Sequence, residues 1–229
     1  LVNSKTHAVN VAGEYGMPCP GTPTVTDADG NVYNTVLIGE QCWMKENLNV
    51  GVMINEEEDP EENGIIEKYC LDNDMENCDQ YGGYYMWWEM MQYTDEEGVQ
   101  GICPDGWHIP TDEEWKVLEG TVDSVYGVGD PEWDIKGYNG YNAGFNLKSK
   151  TGWEDDGNGS DAYGFTVLPA GVFYSSFLHE KREAYVWSST RTWGNSAWYY
   201  HFIGNLGKVG HRISNIDTHG SFSVRCLKD

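Results

Sequence analysis

The run Cys103-Pro-Asp-Gly-Trp-His-Ile-Pro-Thr-Asp-Glu-Glu-Trp115 constrains the fold of this chain more than any other segment. Pro104-Asp105-Gly106 reads as a tight turn, because proline presets φ and glycine accepts the φ a turn needs. Thr111 stands three residues before Glu114, the spacing of a capping box. The threonine hydroxyl accepts from the Glu114 amide, and the Glu114 carboxylate reaches back to the Thr111 amide. Asp112, Glu113 and Glu114 place negative charge on the first turn, where the helix dipole favours it. Trp115 and Leu118 then share one face, and Gly120 marks a plausible stop, so a helix is expected over 112–120. His108 and the three acids between the tryptophans read as parts of a structural cap, not as a site.

A second helix is expected over 84–92. There Met86 with Met90, and Trp87 with Met91, fall at i, i+4 in a run of Met and aromatics suited to a buried helix. Val25-Thr26 and Val32–Ile38 are β-rich runs separated by Asp29-Gly30, a hairpin signal. A short strand should carry Cys42 and Trp43. Further strand-like runs lie at Phe165–Leu168, Tyr185–Ser188, Ala197–Ile203, Lys208–Ile213 and Phe222–Leu227. In Ala197–Ile203, Trp198, Tyr200 and Phe202 share one face while Tyr199, His201 and Ile203 share the other, so alternation does not say which is core. Residues 121–160 are rich in Gly, Asn, Asp and Tyr and read as long, locally structured loops. The expected class is α+β, an antiparallel β core with two helices and long loops.

No linker divides the chain after residue 24. Residues 1–23 lack periodicity and read as a tail, and 24–229 as one domain. Neither a signal peptide nor a long apolar run is present, which suggests a mature ectodomain, with the tail marking where an anchor or preceding domain was removed. The net charge of −23 argues against nucleic acid and anionic membranes as partners, since phosphate binding needs a basic face. Eleven acids between Glu56 and Asp79 face the single base Lys68, a pattern typical of a solvated loop. Six cysteines, 28 glycines and 14% aromatics suit a loop-rich secreted fold. Without a Cys-x-x-Cys pair, zinc-ribbon and thioredoxin-type readings fail. Cys70 and Cys78 flank a short polar loop and suggest a local bridge, while the other pairings stay open.

Beyond the opening run, several motifs recur in a familiar order. They are Thr24-Val-Thr-Asp-Ala-Asp-Gly-Asn-Val-Tyr33, Gln41-Cys-Trp-Met-Lys-Glu-Asn-Leu48, Tyr81-Gly-Gly-Tyr-Tyr85, Tyr163-Gly-Phe-Thr-Val-Leu-Pro-Ala-Gly171, Trp187-Ser-Ser-Thr190 and Ser221-Phe-Ser-Val-Arg-Cys226. In this order they resemble the Fibrobacter succinogenes major paralogous domain, a family of secreted bacterial modules. The resemblance implies a C-type-lectin-like fold of the formylglycine-generating-enzyme-like branch, in which Ile109-Pro-Thr-Asp-Glu-Glu-Trp115 echoes a family segment. It implies a Cys103–Cys226 bridge from the helix start to the final strand, which leaves Cys19 with Cys42. Each bridge would contribute about 2–4 kcal/mol against the ordering cost of long loops. Copper-dependent oxidation of the formylglycine kind needs a C-terminal cysteine pair, and only Cys226 lies beyond residue 103. The Glu-Pro-Asn signature of calcium-dependent sugar binding is absent as well.

Asp155-Asp-Gly-Asn-Gly-Ser-Asp161 is the metal candidate, through Asp155, Asp156, Asn158 and Asp161. Closely spaced oxygens suit a structural Ca²⁺, which takes about six to eight hard ligands. The register is not that of an EF-hand, and an ion-free Asx-turn loop fits the same residues. Calcium bracing such loops is what the resemblance implies. The histidines His7, His108, His179, His201, His211 and His219 lack paired ligand spacing and read as surface or packing residues. With 37 acids, proximity of two carboxylates carries no catalytic signal.

The ligand-binding candidates lie between Thr192 and His219: Trp193, Asn195, Trp198, Tyr200, His201, Asn205, His211, Arg212, Asn215, Asp217 and His219. Trp and Tyr supply rigid contact area, while Asn, Ser and His supply adaptable hydrogen bonds. The same aromatics suit stacking on sugar faces, and the competing reading places several of them in the core. By resemblance, folds of this branch also serve as variable proteins of diversity-generating retroelements, and this segment is rich in the Asn, Ser, Tyr, His and Asp that adenine randomisation produces. The expectation is a secreted or cell-surface adhesin-like module that binds a glycan or protein on a host, microbial or fibre surface, in a pilus or another surface assembly, without direct membrane insertion. A carboxylate-based hydrolase and a structural spacer are the alternatives.

Overall fold

The computed structural model describes residues 16–229. The strands are β1 (Thr24–Thr26), β2 (Val32–Ile38), β3 (Gln41–Met44), β4 (Val52–Met53), β5 (Glu67–Lys68), β6 (Tyr85–Met86), β7 (Trp107–His108), β8 (Gly137–Asn139), β9 (Val172–Phe173), β10 (Phe177–Leu178), β11 (Glu183–Arg191), β12 (Ser196–Ile203), β13 (Val209–Asn215), β14 (Ser221–Phe222) and β15 (Leu227–Lys228). The α-helices are α1 (Met75–Tyr81), α2 (Trp87–Met90), α3 (Asp112–Val122) and α4 (Ala143–Leu147). Three sheets are antiparallel, in the orders β1-β2-β3-β15-β7, β10-β9-β14-β6 and β11-β12-β13-β8, and β4 pairs β5 in parallel. The class is α+β, as the alternation and helix signals suggest.

Local chemistry explains the elements that were foreseen. The Asp29-Gly30 turn closes β1 on β2 with Thr26 opposite Val32, and Asp27 Oδ1 accepts the Asp29 and Asn31 amides at 3.0 Å each. At α3 both halves of the capping box form: the Glu114 amide donates to Thr111 Oγ1 at 3.2 Å, and the Thr111 amide donates to Glu114 Oε2 at 2.8 Å. His108 joins the cap with Nε2 3.0 Å from Glu114 and Nδ1 2.7 Å from Asp229, tying the helix start to the last residue. The disulfides are Cys19–Cys42, Cys70–Cys78 and Cys103–Cys226, and no free cysteine remains. The last spans a sequence separation of 123, so the closing segment is anchored at the α3 end of the fold.

Other expectations are corrected by tertiary context. The helix foreseen over 84–92 contracts to α2, because β6 pairs with β14 on one side and Gln92 and Tyr93 turn to φ 52° and 59° on the other. Tyr85, Trp87, Met90 and Met91 are all buried, so their spacing reflects burial on every side, not a helical stripe. Gly120 does not end α3: it lies inside, where a Cβ would sit 2.6 Å from Val128 Cα. Its requirement is close approach, not a stop. Helices α1 and α4 arise in segments read as loops. Phe165–Leu168 forms only a bridge, Lys148 to Val167, since Thr166 takes φ 59°.

The run Phe222–Leu227 changes sheets. β14 pairs with β6 and β9, β15 pairs with β3 and β7, and between them Leu48 and Met44 amides donate to Val224 and Cys226 carbonyls. Residues 1–15, including His7, lie outside the described residues. The remainder of the expected tail is tied down: the Leu37 amide donates to Met17 O at 2.9 Å, and Cys19 is buried.

In the 121–160 stretch, Asp123 Oδ2 accepts the amides of Tyr141, Asn142 and Ala143 at 2.8, 2.8 and 3.0 Å. Burial pushes this carboxyl up, but hydrogen bonds from the Val125, Tyr141, Tyr126 and Asn142 amides outweigh it and hold it below the ordinary value. One ionised side chain therefore organises a loop region of low intrinsic order.

Candidate binding surface

β11, β12 and β13 form the platform, and the sheet is covered on both faces. Tyr185, Trp187, Ala197 and Tyr199 enter one core cluster, while Ala184, Val186, Tyr200, Phe202 and Val209 enter another. Mixed apolar character on both faces follows directly.

On the second face the end of α3 sits over the sheet. Tyr200, fully buried, stacks on Trp115 with centroids 4.6 Å apart, and its hydroxyl donates to Asp112 O and Oδ1 at 3.0 Å each. His211 Nε2 lies 2.7 Å from Asp112 Oδ1, and Lys116 Nζ lies 3.1 Å from Oδ2. Burial raises the Asp112 pKa, but His211 and Lys116 outweigh it and keep the carboxyl below its ordinary value. Trp198 stacks on His211 at 3.8 Å and covers this network from the outside.

On the first face His201 is buried between Glu183 and Tyr138. Its Nε2 is 2.8 Å from Glu183 Oε2 and its Nδ1 is 2.9 Å from the Tyr138 hydroxyl. Burial pushes the imidazole down and outweighs the pull of Glu183. Arg212 stands 5.5 Å over the Tyr138 ring. Tyr200, His201 and His211, all in the predicted ligand set, are thus withdrawn from solvent and engaged inside the protein.

The β11–β12 turn projects past the covered part of the sheet. Thr192 N donates to Ser196 O at 2.7 Å to close it, and Trp193 at its tip is 97% exposed. Behind it lies an open groove of about 450 Å³ lined by Arg191, Thr192, Trp193, Ser196, Trp198 and Ile213. Arg191 is set from far along the chain, with Nη1 3.1 Å from Asp95 and its guanidinium 5.4 Å over Trp88. Asn195, Asn215 and Asp217 stand beside the tip: the Asn195 amide group donates to Asp217 Oδ2, and the Asp217 amide donates to Asn215 Oδ1 at 2.9 Å. The structure therefore gathers Trp193, Asn195, Trp198, Asn215 and Asp217 at one end of the sheet. Asn205 lies in the β12–β13 turn at the opposite end, and His219 pairs with Asp59 at 2.8 Å on the acidic loop. Arg191 and Ile213 escaped the sequence reading. Alternation along Lys208–Ile213, which puts Ile213 on the same face as His211, carried a signal for Ile213, but none existed for the Asp95 and Trp88 contacts that orient Arg191.

Three of the four residues expected to hold calcium have partners within the protein. Asp161 accepts from the Thr166 amide and hydroxyl at 2.8 and 2.9 Å, and Asn158 Oδ1 accepts the Trp153 amide at 3.1 Å. Asp155 faces Arg182 at 3.8 Å, and Asp156 is exposed at φ 57°. Among the described residues, no group of three or more His, Cys, Asp or Glu side chains is gathered to hold a metal.

The family model described as Fibrobacter succinogenes major domain matches residues 36–228, from within β2 into β15. The chain belongs to that family. No curated protein and no solved structure matches. The family span includes the α3 cap, the Cys103–Cys226 bridge and the whole β11–β13 platform, so both the groove and its support are family territory.

Proposed function

We propose that this protein is an extracellular ligand-binding module of a bacterial surface, C-type-lectin-like in fold, that takes a glycan at the β11–β12 tip. The observation that carries the reading is Trp193, 97% exposed beside a groove walled by a second indole, Trp198. An indole held in water at the end of a braced hairpin is an anchor without a partner, and such rigid aromatics dominate recognition energetics. Neutral polar groups at Thr192, Asn195, Ser196 and Asn215 surround it, which suits reading sugar hydroxyls while the rings stack on apolar sugar faces. A charge of −23 favours neutral or cationic ligands. Three disulfides suit an oxidising, extracellular compartment, and no helix among the described residues is long and apolar enough to cross a membrane. An adhesin role in a pilus or other surface assembly, and diversification of the tip by a retroelement, belong to this reading.

The test is binding of the intact protein to arrays of glycans and of surface proteins. Trp193→Ala should weaken glycan binding by at least about 30-fold, the loss of an anchor worth about 2 kcal/mol. Asn205→Ala, at the far turn, should leave it unchanged. Glycan binding that survives both Trp193→Ala and Trp198→Ala, or binding only to proteins, would overturn the assignment.

A further inference from the structure

Among the described residues of this acidic chain two lysines are buried, and they are held in different ways. Lys148 Nζ donates to three backbone carbonyls, those of Ile203, Gly204 and Leu206, an arrangement that satisfies an ammonium completely. Lys68, 2% exposed in β5, directs both of its described hydrogen bonds at one residue: Asn49 O at 2.5 Å and Asn49 Oδ1 at 2.7 Å. Asn49 is 8% exposed, and its Nδ2 donates to Asp79 Oδ1 at 3.2 Å. Asp79 sits on α1 next to Cys78, whose bridge to Cys70 fixes that helix beside β5. Lys68 and Asn49 are thus buried side by side, and the exposed Asp79 reaches the Asn49 carboxamide from the rim, so an amine, a carboxamide and a carboxylate stand in series. The lysine stem runs where Gly83 leaves space, since a Cβ there would lie 2.9 Å from Lys68 Cδ and 2.7 Å from the Tyr85 hydroxyl.

We propose that Lys68 and Asn49 join in an intramolecular isopeptide bond, with Asp79 carrying the proton. The Asn49 carbonyl carbon lies one C=O bond, about 1.23 Å, beyond an oxygen already in contact with the amine. A small rotation brings it to attack distance. The uncharged Lys68 Nζ adds to Asn49 Cγ, forming the C–N bond. A proton leaves Nζ and is delivered through the Asp79 carboxyl to Nδ2, the Cγ–Nδ2 bond breaks, and ammonia departs. The products are one amide and one ammonia, so no oxidant or other reactant is needed. Burial pulls the Lys68 amine down toward its nucleophilic form, against the opposing pull of Asp29, Asp27 and Asp79. The bond would close residues 49–68 into a ring and hold the acidic run Glu56–Glu62 at both ends.

Intact mass of the purified protein, denatured and with disulfides reduced, tests this directly. The expected mass is that of the sequence less one ammonia, with a digest yielding a branched peptide that joins Asn49 to Lys68. Lys68→Arg and Asn49→Ala should each restore the mass of their sequences, and Asp79→Ala should slow the loss of ammonia in folded protein. Wild-type protein that keeps its full sequence mass after prolonged incubation at mildly alkaline pH overturns the proposal. So does ammonia loss confined to a linear peptide, which would mark cyclisation of Asn49 onto the Val50 nitrogen.

Discussion

The segments 107–115 and 191–198 resemble each other as text: each sets two tryptophans among polar residues within a short span. In the folded protein they are opposites. Trp115 is fully buried, stacked on Tyr200 at 4.6 Å and packed at a tilt against Trp43 at 5.0 Å, while Trp193 is 97% exposed. The first segment caps a helix that lies over a sheet face, so Glu114 and His108 are engaged in the cap and with Asp229, and Asp112 with Tyr200, His211 and Lys116. The second forms a turn that extends beyond that helix, where nothing covers the indole. Interleaved aromatic and polar residues are therefore not a site in themselves. What lies over them decides whether they hold the fold or face a ligand.

The comparison breaks most visibly through its two tryptophans. Trp115→Ala should cost about 3–5 kcal/mol of stability in chemical denaturation, as large aromatic deletions in well-packed cores do. Trp193→Ala should stay within about 0.5 kcal/mol of wild type. Equal losses in the two variants would mean that the tip carries structure too.

A smaller effect is expected at the cap. Thr111→Ala should cost about 1 kcal/mol, and Thr111→Ser should recover most of it, read from the same denaturation midpoints. Indifference to Thr111→Ala would mean that Cys103–Cys226 and the sheet hold α3 without its box.

The smallest effect is a pH dependence. His108 is pulled above its ordinary 6.5 mainly by the Glu114 hydrogen bond, against burial and with help from Asp229. A raised histidine contributes stability that is fully present below 6.5 and is lost as pH rises through the folded value. Burial pushes Glu114 up, but His108 and Thr111 outweigh it, so its contribution is present above 4.5 and fades as pH falls. The stability gap between wild type and His108→Gln should accordingly be widest between 4.5 and 6.5 and narrow on the alkaline side. A gap that widened with rising pH would remove His108 from the cap.

Legibility followed the range of the interactions. The capping box, the Asp29-Gly30 hairpin and the Cys70–Cys78 bridge join residues close in the chain, so residue types at fixed spacing carried them. The run 84–92 misled because i, i+4 spacing also arises when a segment is buried on all sides. Gly120 misled because glycine marks both helix ends and close backbone approach, and Val128 comes from outside the helix. For the candidate binding surface, composition pointed to the stretch 192–219. It could not separate Tyr200, His201 and His211, which support the sheet, from Trp193, Asn195 and Asn215, which stand in water.

The sequence by itself determined the family, the local turns and caps and the strongly acidic net charge. Those properties reside in short-range spacing, ordered motifs and summed charge. Tertiary structure alone decided that α3 closes over one face of the β11–β13 sheet and that the β11–β12 tip escapes it. It also decided that buried Lys68 meets Asn49, whose carboxamide reaches the exposed Asp79. Exposure and contact are set by residues tens of positions away, and a linear pattern holds no record of which of them will arrive.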